Sequence, residues 1–496
     1  MEEKEDAGNV NEQSKISLQQ AGLTVKKSED FNEWYNQVVL KADMIDYSLV
    51  SGCIVFKPNS YSIWEKIRKI FDDKIKKSGH KNCYFPMFIP ESLLKKEAEH
   101  IEGFSPEVAW VTKAGDTELN EKLAIRPTSE TIMYESYAKW IRSWRDLPLL
   151  LNQWNSVVRW EFKHAKPFIR TREFLWQEGH TVHSTREEAE KEVMQQLFEY
   201  VDLIENFMAI PVIAGKKTEN EKFAGADYTT TVEAFMPDGK ALQMATSHML
   251  GQNFAKVFGI KFLDSDEKEK YGWQTSWGLS TRTIGAVVMM HGDDKGLVLP
   301  PKIAPTQIIV VPIVFKENKE NIIAKAKEIV KKLKASYYSV ELDDRDGYTP
   351  GWKFNEWELK GVPLRIEIGP KDVEADQLVF VRRDTNEKQA IKTKDLEKKT
   401  EETLNDIQEN LLRKARDFLK TSVDEVHNFN DLFNAVKNKK MAKALFCGQS
   451  ECEVNIKDKA EGATCRCIPF EQKPAKGNCI QCNSEAKFWA VFGKGY

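Results

Sequence analysis

The feature that most constrains the fold is an alternation of charged or aromatic residues with other residues in two neighbouring segments. In the second segment, residues of one parity are Phe174, Trp176, Glu178 and His180. Because side chains on a β-strand point alternately to its two faces, these four are expected along one open face of a sheet. The same pattern in residues 158–162 predicts a strand with Arg159 and Glu161 on one face. A sheet face that carries aromatic rings, carboxylates and an imidazole can bind a nucleotide base and an ammonium group.

Three other strings add to this pattern. Residues 126–131 read RPTSET, residues 277–283 read WGLSTRT, and the basic string KHAKPFIRTR, residues 163–172, connects the two predicted strands. The planar fork of arginine binds phosphate and carboxylate groups at two points, which lysine cannot do. The connection therefore suits a triphosphate, and the whole set is typical of a site that forms an adenylate.

In order and spacing, these strings resemble the three signature motifs of class II aminoacyl-tRNA synthetases. The residues RPTSE at 126–130, together with Glu173 and Phe174, resemble those of the prolyl-tRNA synthetase family. The resemblance covers roughly residues 30–496. It implies an antiparallel-sheet catalytic domain, an α/β anticodon-binding domain and a C-terminal zinc-binding domain. The implied activity is ATP-dependent activation of L-proline to prolyl-adenylate and transfer to the 3′ end of tRNA(Pro), by a homodimer.

About a hundred residues separate Glu178 from Arg282, which leaves no room for the large editing insertion of the bacterial-type branch. The chain therefore resembles the archaeal and eukaryotic-type branch. A non-catalytic RNA-binding relative is an alternative, but such proteins typically lose phosphate-binding arginines, and Arg159, Arg170 and Arg282 are present. A threonyl enzyme would need zinc ligands in its catalytic domain, yet no cysteine occurs in residues 84–446.

The resemblance implies catalytic roles for Arg159, Arg282 and Glu161. Arg159 would bridge the α-phosphate and the substrate carboxylate, Arg282 would lie against the adenine with Phe174 opposite, and Glu161 would meet the adenine amino group or orient the arginines. Gln243 and Thr246 would hold the ribose and a bound Mg²⁺, which prefers oxygen ligands. The implied ATP-binding set is Arg159, Glu161, Arg170, Thr171, Phe174, Gln243, Thr246, Ser280, Thr281 and Arg282.

Proline has a secondary ammonium and a compact ring, so its pocket needs an anion, hydrogen-bond acceptors and a close apolar lining. The candidates are Thr128, Glu130, Arg159, Trp176, Glu178, His180, Phe223 and His248. Without the resemblance, Thr128 to Glu130 would be interpreted as a helix cap, and a single histidine such as His180 as a structural group. A hydrophobic pocket rejects a smaller analogue only roughly 10–200-fold, so alanine is expected to be a weak substrate.

Six of the eight cysteines lie within residues 447–482. Two pairs, Cys447 with Cys452 and Cys479 with Cys482, have a spacing that can close a tetrahedral thiolate site for zinc. Cys465 and Cys467 could substitute as ligands, but the resemblance supports the outer four. A site closed by four cysteines leaves no coordination position for a reactive water, so the Zn²⁺ is expected to be structural.

Composition sets the remaining expectations. A chain of 496 residues exceeds one core, and we predict a flexible tail (1–30), a catalytic domain (31–304), an anticodon-binding α/β domain (305–405) and a zinc-binding domain (406–496). The formal charge of −3 means that any RNA contact must use local patches. With no signal peptide, no bilayer-length apolar run and a mean hydropathy of −0.51, the chain is expected to be cytoplasmic and not to bind membranes.

Periodicity predicts the elements around the site. Helices are expected at 62–77 and 127–144, a strand with edge character at 82–90, and a hairpin from 228–235 and 241–245. From the sequence alone, residues 62–90 are interpreted as a core helix and an edge strand. The resemblance implies that they form a dimer interface. Beyond residue 305, strands at 308–311, 364–368 and 378–381 and a helix at 320–333 predict the α/β domain, followed by helix from about 396 to 440.

Overall fold

The computed structural model describes residues 22–98, 107–161, 165–315 and 317–496. The helices of the first region, residues 22–304, are α1 (Phe31–Lys41), α2 (Pro58–Lys77), α3 (Glu91–Ala98), α4 (Glu130–Trp140), α5 (Arg186–Asp202), α6 (Asn253–Phe258) and α7 (Arg282–His291). Its strands are β1 (Ile45–Tyr47), β2 (Ile54–Phe56), β3 (Lys81–Asn82), β4 (Phe88–Pro90), β5 (Trp110–Ala114), β6 (Thr117–Ile125), β7 (Leu149–Val158), β8 (Glu173–His183), β9 (Ile213–Lys216), β10 (Tyr228–Phe235), β11 (Ala241–Gly251), β12 (Lys261–Leu263), β13 (Glu269–Tyr271) and β14 (Trp273–Ser280).

A central sheet organises this region. Six antiparallel strands lie in the order β9–β10–β11–β14–β8–β7, and the short β3 adds a parallel edge to β7. The predicted hairpin is confirmed as β10 and β11, although β11 runs on to Gly251. The predicted strand at 158–162 is wrong for residues 159–161, because β7 ends at Val158. The backbone N–H of Arg159 makes a last ladder bond to the carbonyl of Arg172 (2.8 Å). The N–H of Arg172 donates instead to the carbonyl of Gly52 (2.8 Å), so the pairing stops there. Phe162 lies outside the described residues.

Helix α2 confirms the predicted helix at 62–77 and covers one face of the central sheet. Its apolar stripe is buried, and Phe71 stacks on Tyr200 of α5 with ring centroids 4.8 Å apart. Phe71 also meets the edge of Trp277 on β14 (6.4 Å). Aromatic packing therefore fills this back face and leaves the opposite face of the sheet for a cavity.

Two predicted elements differ from the structure. The strand expected at 82–90 is split, since β3 pairs with β7 while β4 pairs with β6 in a separate three-stranded sheet. The helix expected at 127–144 spans only α4, and a short 3₁₀ turn follows at Trp144–Asp146. Trp140 and Trp144 are 51% and 41% exposed, so neither joins the buried stripe that Met133 and Tyr137 form.

The second region confirms the predicted α/β arrangement. Its elements are β15 (Ile308–Pro312), α8 (Lys319–Ala335), β16 (Val340–Leu342), α9 (Pro350–Leu359), β17 (Leu364–Ile368), α10 (Pro370–Glu374), β18 (Gln377–Arg382) and β19 (Lys388–Lys392). The five strands lie in the order β16–β15–β17–β18–β19, parallel around β15 and antiparallel beyond β17. Arg383 donates to both carboxylate oxygens of Asp293 (2.7 and 2.6 Å), which ties this region to the first.

The remaining elements are α11 (Leu396–Thr421), β20 (Val423–Val426), α12 (Phe429–Lys437), β21 (Met441–Phe446), α13 (Ser450–Lys459), β22 (Thr464–Pro469) and β23 (Phe488–Gly493). We call residues 423–496 the C-terminal module. Strand β22 pairs antiparallel with β9, so four strands of the module extend the central sheet to eleven. The helix predicted over 396–440 is interrupted by β20, and α11 crosses the predicted domain boundary at residue 405.

The predicted flexible tail falls in two parts. Residues 1–21 lie outside the described residues. Residues 22–30 pack on the first region, because the ammonium of Lys27 donates to the backbone carbonyl of Gly292 (2.8 Å) and lies 4.7 Å from the ring centroid of Trp34. The domain boundaries themselves stay predictions. In the part of the chain that the structure describes, no helix combines the length and hydrophobicity needed to cross a bilayer.

Candidate active site

The open face of the central sheet carries aligned polar side chains from four strands. One cross-strand row runs from Thr229 on β10 through His248 and Ser276 to His180 on β8, and a parallel row joins Thr246, Gly278 and Glu178. These rows line a cavity of about 290 Å³. The alternation in residues 174–180 is confirmed, since Phe174, Trp176, Glu178 and His180 all face this cavity.

Glu178 is the most heavily bonded group of the cavity. Its buried carboxylate accepts hydrogen bonds from the backbone N–H (3.1 Å) and the hydroxyl of Ser129, from Gln153 (3.1 Å) and from Asn155 (2.7 Å). The hydroxyl of Ser129 therefore serves Glu178 and does not cap α4, which has no side-chain cap. Because its acceptor capacity is used within the protein, Glu178 fixes its neighbours in place.

Glu130, at the start of α4, supplies a second buried carboxylate and accepts a hydrogen bond from the hydroxyl of Thr128. Glu130, Glu178 and His180 each offer a ligand atom, and these atoms lie within 4.8 Å of one another. These three ligand atoms are close enough together to bind one cation. Since Glu178 is already satisfied by protein donors, Glu130 is the carboxylate best placed to receive a substrate ammonium.

The pKa values of the two histidines that line the cavity are shifted in opposite directions. Burial disfavours a charged His180, but the charge of Glu130 and the hydrogen bond to Glu178 (3.0 Å) outweigh it and raise the pKa of His180. Burial and the neighbouring His180 lower the pKa of His248 to about 3. His180 therefore pairs with Glu178 as a cation when protonated, whereas His248 stays neutral.

The ring of His248 forms part of the cavity wall, and its two nitrogens have partners within the protein. Its ring nitrogens contact the hydroxyls of Thr229 (2.9 Å) and Thr246 (3.0 Å), so both are engaged within the protein. Its ring lies 4.8 Å from the ring of Phe223, which lines the cavity. These contacts place His248 beside Phe223 in the lining, and its assignment to the proline pocket stays a prediction.

Two arginines lie at the other end of the cavity. The guanidinium of Arg159 lies 5.4 Å from the ring centroids of both Phe174 and Trp176, and its Nε donates to the carbonyl of Pro127 (3.0 Å). Arg282 donates to the backbone carbonyls of Ile169 and Gln243 (both 3.2 Å). Burial and the charges of Arg159 and Arg170 lower the pKa of Arg282 to about 10. Two positive charges held this close create a strong site for an anion.

The structure brings most predicted site residues together. The predicted residues that line the cavity are Thr128, Glu130, Arg159, Phe174, Trp176, Glu178, His180, Phe223, Gln243, Thr246, His248, Ser280 and Arg282. Four predicted residues are not among those that line it. Glu161 and Arg170 are exposed, the hydroxyl of buried Thr171 donates to the carbonyl of Glu173 (2.7 Å), and Thr281 is buried at the start of α7. Assignment of these four to ATP stays a prediction.

Sequence reasoning missed several functional candidates. Glu221, Lys222, Thr229 and Ser276 line the cavity, and Ser129 and Asn155 position Glu178. Glu221 and Lys222 belong to an irregular connection with no strand parity. Asn155 shares one face of β7 with Gln153, which also donates to Glu178, so strand alternation on β7 was the signal available for it.

The C-terminus reaches this site. The backbone oxygen of Tyr496 accepts a hydrogen bond from Arg170 (2.9 Å), and its hydroxyl contacts the sulfur of Met289 on α7 (3.1 Å). Lys166 and Lys240 lie 5.1 and 5.3 Å from the centroid of its ring. The last residue therefore packs on the first region, against the connection after β7 and against α7.

The C-terminal module contains a second candidate site. The ligand atoms of Cys447, Cys452, Cys479 and Cys482 all lie within 4.8 Å of one another. The sulfur of Cys447 is 3.6 Å from that of Cys452 and 3.8 Å from that of Cys482. A tetrahedral site with Zn–S bonds of about 2.3 Å needs sulfurs roughly 3.8 Å apart, so the four thiols fit one metal ion.

Cys465 and Cys467 lie outside this ligand group. Both are buried on β22, and burial raises the pKa of Cys467 to about 12. Neither of them belongs to the group of four cysteines whose sulfur atoms lie within 4.8 Å of one another. The outer four cysteines are therefore the ligand set that the geometry supports.

Comparison with known families agrees with this architecture. Residues 110–291 match the family described as "tRNA synthetase class II core domain (G, H, P, S and T)", and residues 307–403 match "Anticodon binding domain". Residues 429–496 match "Prolyl-tRNA synthetase, C-terminal". Together with the antiparallel sheet and its arginine-lined cavity, these matches define a class II aminoacyl-tRNA synthetase.

Individual relatives narrow the class further. A proline–tRNA ligase of Natranaerobius thermophilus is 54% identical over 457 residues, which cover 92% of this chain and 94% of the relative. One of Alkaliphilus oremlandii is 53% identical, with 94% and 96% covered. The bifunctional glutamate/proline–tRNA ligase of Cricetulus griseus is 51% identical over 96% of this chain and 33% of its own length. The chain belongs to the proline–tRNA ligase family.

The charge state of His180 generates a prediction about pH. A group whose pKa is raised on folding contributes stability that is complete below its unfolded pKa and is lost as pH rises through the folded pKa. His180, raised above its ordinary 6.5, should therefore stabilise the fold fully below about pH 6.5 and progressively less above it. Relative to His180→Gln, the Tm advantage of the unmodified protein should shrink between pH 6.5 and 9 in differential scanning calorimetry.

His427→Gln is the matched control, because His427 is a largely exposed histidine outside the cavity. Subtracting its Tm difference at each pH corrects for the loss of an imidazole that lies outside the cavity. A Tm advantage over His180→Gln that grew with pH would mean that His180 is neutral in the folded protein.

Proposed function

We propose that the chain activates L-proline with ATP to form prolyl-adenylate and pyrophosphate, and transfers the prolyl group to the 3′ end of tRNA(Pro). The observation that carries this proposal is the pairing, in one cavity, of the buried carboxylate of Glu130 with the cationic pair Arg159 and Arg282. An amino acid and a nucleotide require these opposite charges at opposite ends of one site. Neutral His248, Phe223 and Trp176 supply an apolar wall suited to a compact ring.

In the first half-reaction, a carboxylate oxygen of proline attacks the α-phosphorus of ATP, and pyrophosphate leaves with the electron pair of the broken P–O bond. The protein positions the reactants and stabilises charge at the phosphorus. Arg159, whose charge interacts with those of Glu130 and Glu178, is placed to hold the proline carboxylate and the α-phosphate together. In the second half-reaction, a ribose hydroxyl of the tRNA attacks the prolyl carbonyl, and AMP leaves.

The nucleotide would occupy the end of the cavity formed by Phe174, Gln243, Thr246 and Arg282. Mg²⁺ would accompany the triphosphate there, because it prefers oxygen ligands and keeps several of its waters. The metal would offset the negative charge of the phosphate oxygens. Arg170, Thr171 and Thr281 are proposed as outer contacts to the phosphates, with Glu161 orienting the arginines.

We further propose that the protein works in the cytoplasm as a homodimer. Support for the dimer comes from large apolar side chains that are exposed in and around residues 82–90. They are Tyr84 (69%), Met87 (37%), Phe88 (42%), Trp110 (42%) and Trp140 (51%). A group of this kind on a folded protein is typical of an interaction surface. A solution mass of one chain, measured by light scattering at micromolar concentration, would remove the dimer from the proposal.

The cysteine group is proposed to bind structural Zn²⁺. We expect Cys479→Ser to lose the metal, measured by elemental analysis, and to lower the Tm, because an incomplete ligand set removes binding free energy from the folded state. Cys467→Ser is the matched control, since Cys467 is an equally buried thiol of the same module outside the ligand group. Loss of metal from Cys467→Ser with retention in Cys479→Ser would overturn the ligand assignment.

The activity itself is tested by exchange of labelled pyrophosphate into ATP in the presence of each of the twenty amino acids. Proline should support exchange far above the rest, with alanine a weak second substrate. Arg159→Ala should reduce proline-dependent exchange by roughly 100–1,000-fold, because a preorganised charge at the reacting phosphorus is lost.

Arg186→Ala is the control for that variant, since Arg186 is an exposed arginine on α5 that pairs with Glu190 and lies away from the cavity. Its exchange rate should equal that of the unmodified protein. Absence of exchange with any amino acid from folded protein would reject the activity, and near-normal exchange by Arg159→Ala would reject the site assignment.

A further inference from the structure

One wall of the cavity is part of an irregular connection between β9 and β10. We call residues 217–223 the substrate loop. Its last three residues, Glu221, Lys222 and Phe223, line the cavity. The backbone N–H of Phe223 donates to the hydroxyl of Thr229 (2.9 Å), which in turn contacts His248. The far end of the loop is thereby joined to the apolar lining.

The near end of the substrate loop is held by the C-terminal module. The ammonium of Lys217 donates to the backbone carbonyl of Arg466 on β22 (2.8 Å) and pairs with Glu233 (2.8 Å). Gly215 lies two residues before Lys217, and a Cβ there would stand 2.4 Å from the carbonyl oxygen of Ile468. The two backbones are therefore in close contact where the loop begins.

Helix α13 of the module makes two further contacts with the loop. The hydroxyl of Thr218 donates to the carboxylate of Glu453 (3.0 Å), and the side-chain amide of Asn220 donates to the carbonyl of Ser450 (3.3 Å). Thr218 and Glu453 are 6% and 4% exposed. A buried carboxylate that loses a donor bears a substantial desolvation cost, so this contact strongly favours one position of the loop.

None of these contacts involves a group that reacts. Thr218 lies three residues before Glu221 in the chain, and Glu453 follows Cys452 of the candidate metal site. The same short helix thus connects the cysteine group to a loop that forms part of the substrate cavity.

We propose that Thr218, Asn220 and Glu453 are positioning residues for proline, through which the C-terminal module sets the place of Phe223 in the cavity wall. This inference rests on the proposed function. Within the cavity, Phe223 at the end of the loop lies 4.8 Å from the ring of His248, in the proposed proline pocket. Release of the loop should therefore weaken proline binding and leave ATP binding unchanged.

Thr218→Val removes the hydroxyl with little change in volume. We expect the KM for proline in pyrophosphate exchange to rise roughly tenfold, as for a lost hydrogen bond to a charged group, with the KM for ATP unchanged. The preference for proline over alanine, as a ratio of kcat/KM values, should fall in parallel. Quenching of tryptophan fluorescence on titration with proline, through Trp176 in the cavity wall, should give the same rise in Kd.

Three further variants separate positioning from stability. Glu453→Gln keeps an acceptor oxygen for Thr218 and should stay within about threefold of the unmodified KM for proline. Glu453→Leu should raise that KM at least as much as Thr218→Val, because Glu453 also interacts with Asn220 and with the backbone of Cys465. In the double variant Thr218→Val, Glu453→Leu, proline binding should be no weaker than in Glu453→Leu alone, because the contact that Thr218→Val removes is already lost. Thr400→Val is the matched control: a buried threonine on α11 whose hydroxyl has no hydrogen-bond partner within the described residues.

The outcomes distinguish this inference from the activity. No proline-dependent exchange by the unmodified protein would reject the proposed function. Exchange by the unmodified protein, with Thr218→Val altering only the Tm or raising both KM values equally, would reject the inference alone. If Thr218→Val fails to fold, Asn220→Ala tests the same helix at an exposed position, and an unchanged KM for proline there would reject the inference.

Discussion

The register between β8, β14 and β11 is the constraint on which the cavity depends. Glu178 faces Gly278 and Thr246 across this register, and His180 faces Ser276 and His248. A slip of one residue would turn every one of these side chains to the opposite face. The register is fixed from behind, where the Trp277 ring lies 2.2 Å from the place of a Cβ at Gly179, so that only glycine fits. Packing on one face thus determines the chemistry on the other.

The cavity keeps unlike charges apart along this face. Glu130 and Glu178 stand at one end with His180, while Arg159 and Arg282 stand at the other, and each group is held by neutral donors or carbonyls as well as by charge. With a pKa of about 10, Arg282 remains charged at neutral pH despite its cationic neighbours. A nucleotide relieves that repulsion, and an amino acid bridges both ends.

Much of this arrangement could be predicted from the sequence, because strand parity is a local property. It placed Phe174, Trp176, Glu178 and His180 correctly, and helical spacing placed Phe71. The end of β7 could not be predicted, since the backbone N–H of Arg172, the next partner of β7, donates instead to the carbonyl of Gly52, which is distant in the sequence. The contacts of His248 could not be predicted either, because Thr229 lies on a neighbouring strand and Phe223 lies in a loop.

The pairing of β22 with β9 has a consequence for biosynthesis. Strand β9 is made early, yet the strand that covers its free edge is encoded some 250 residues later in the chain. Until then, the growing polypeptide presents an uncovered sheet edge, which is a template for pairing with other chains. Completion of the sheet must therefore wait for almost the whole chain to leave the ribosome, and the nascent protein is an expected client of chaperones that shield exposed strands.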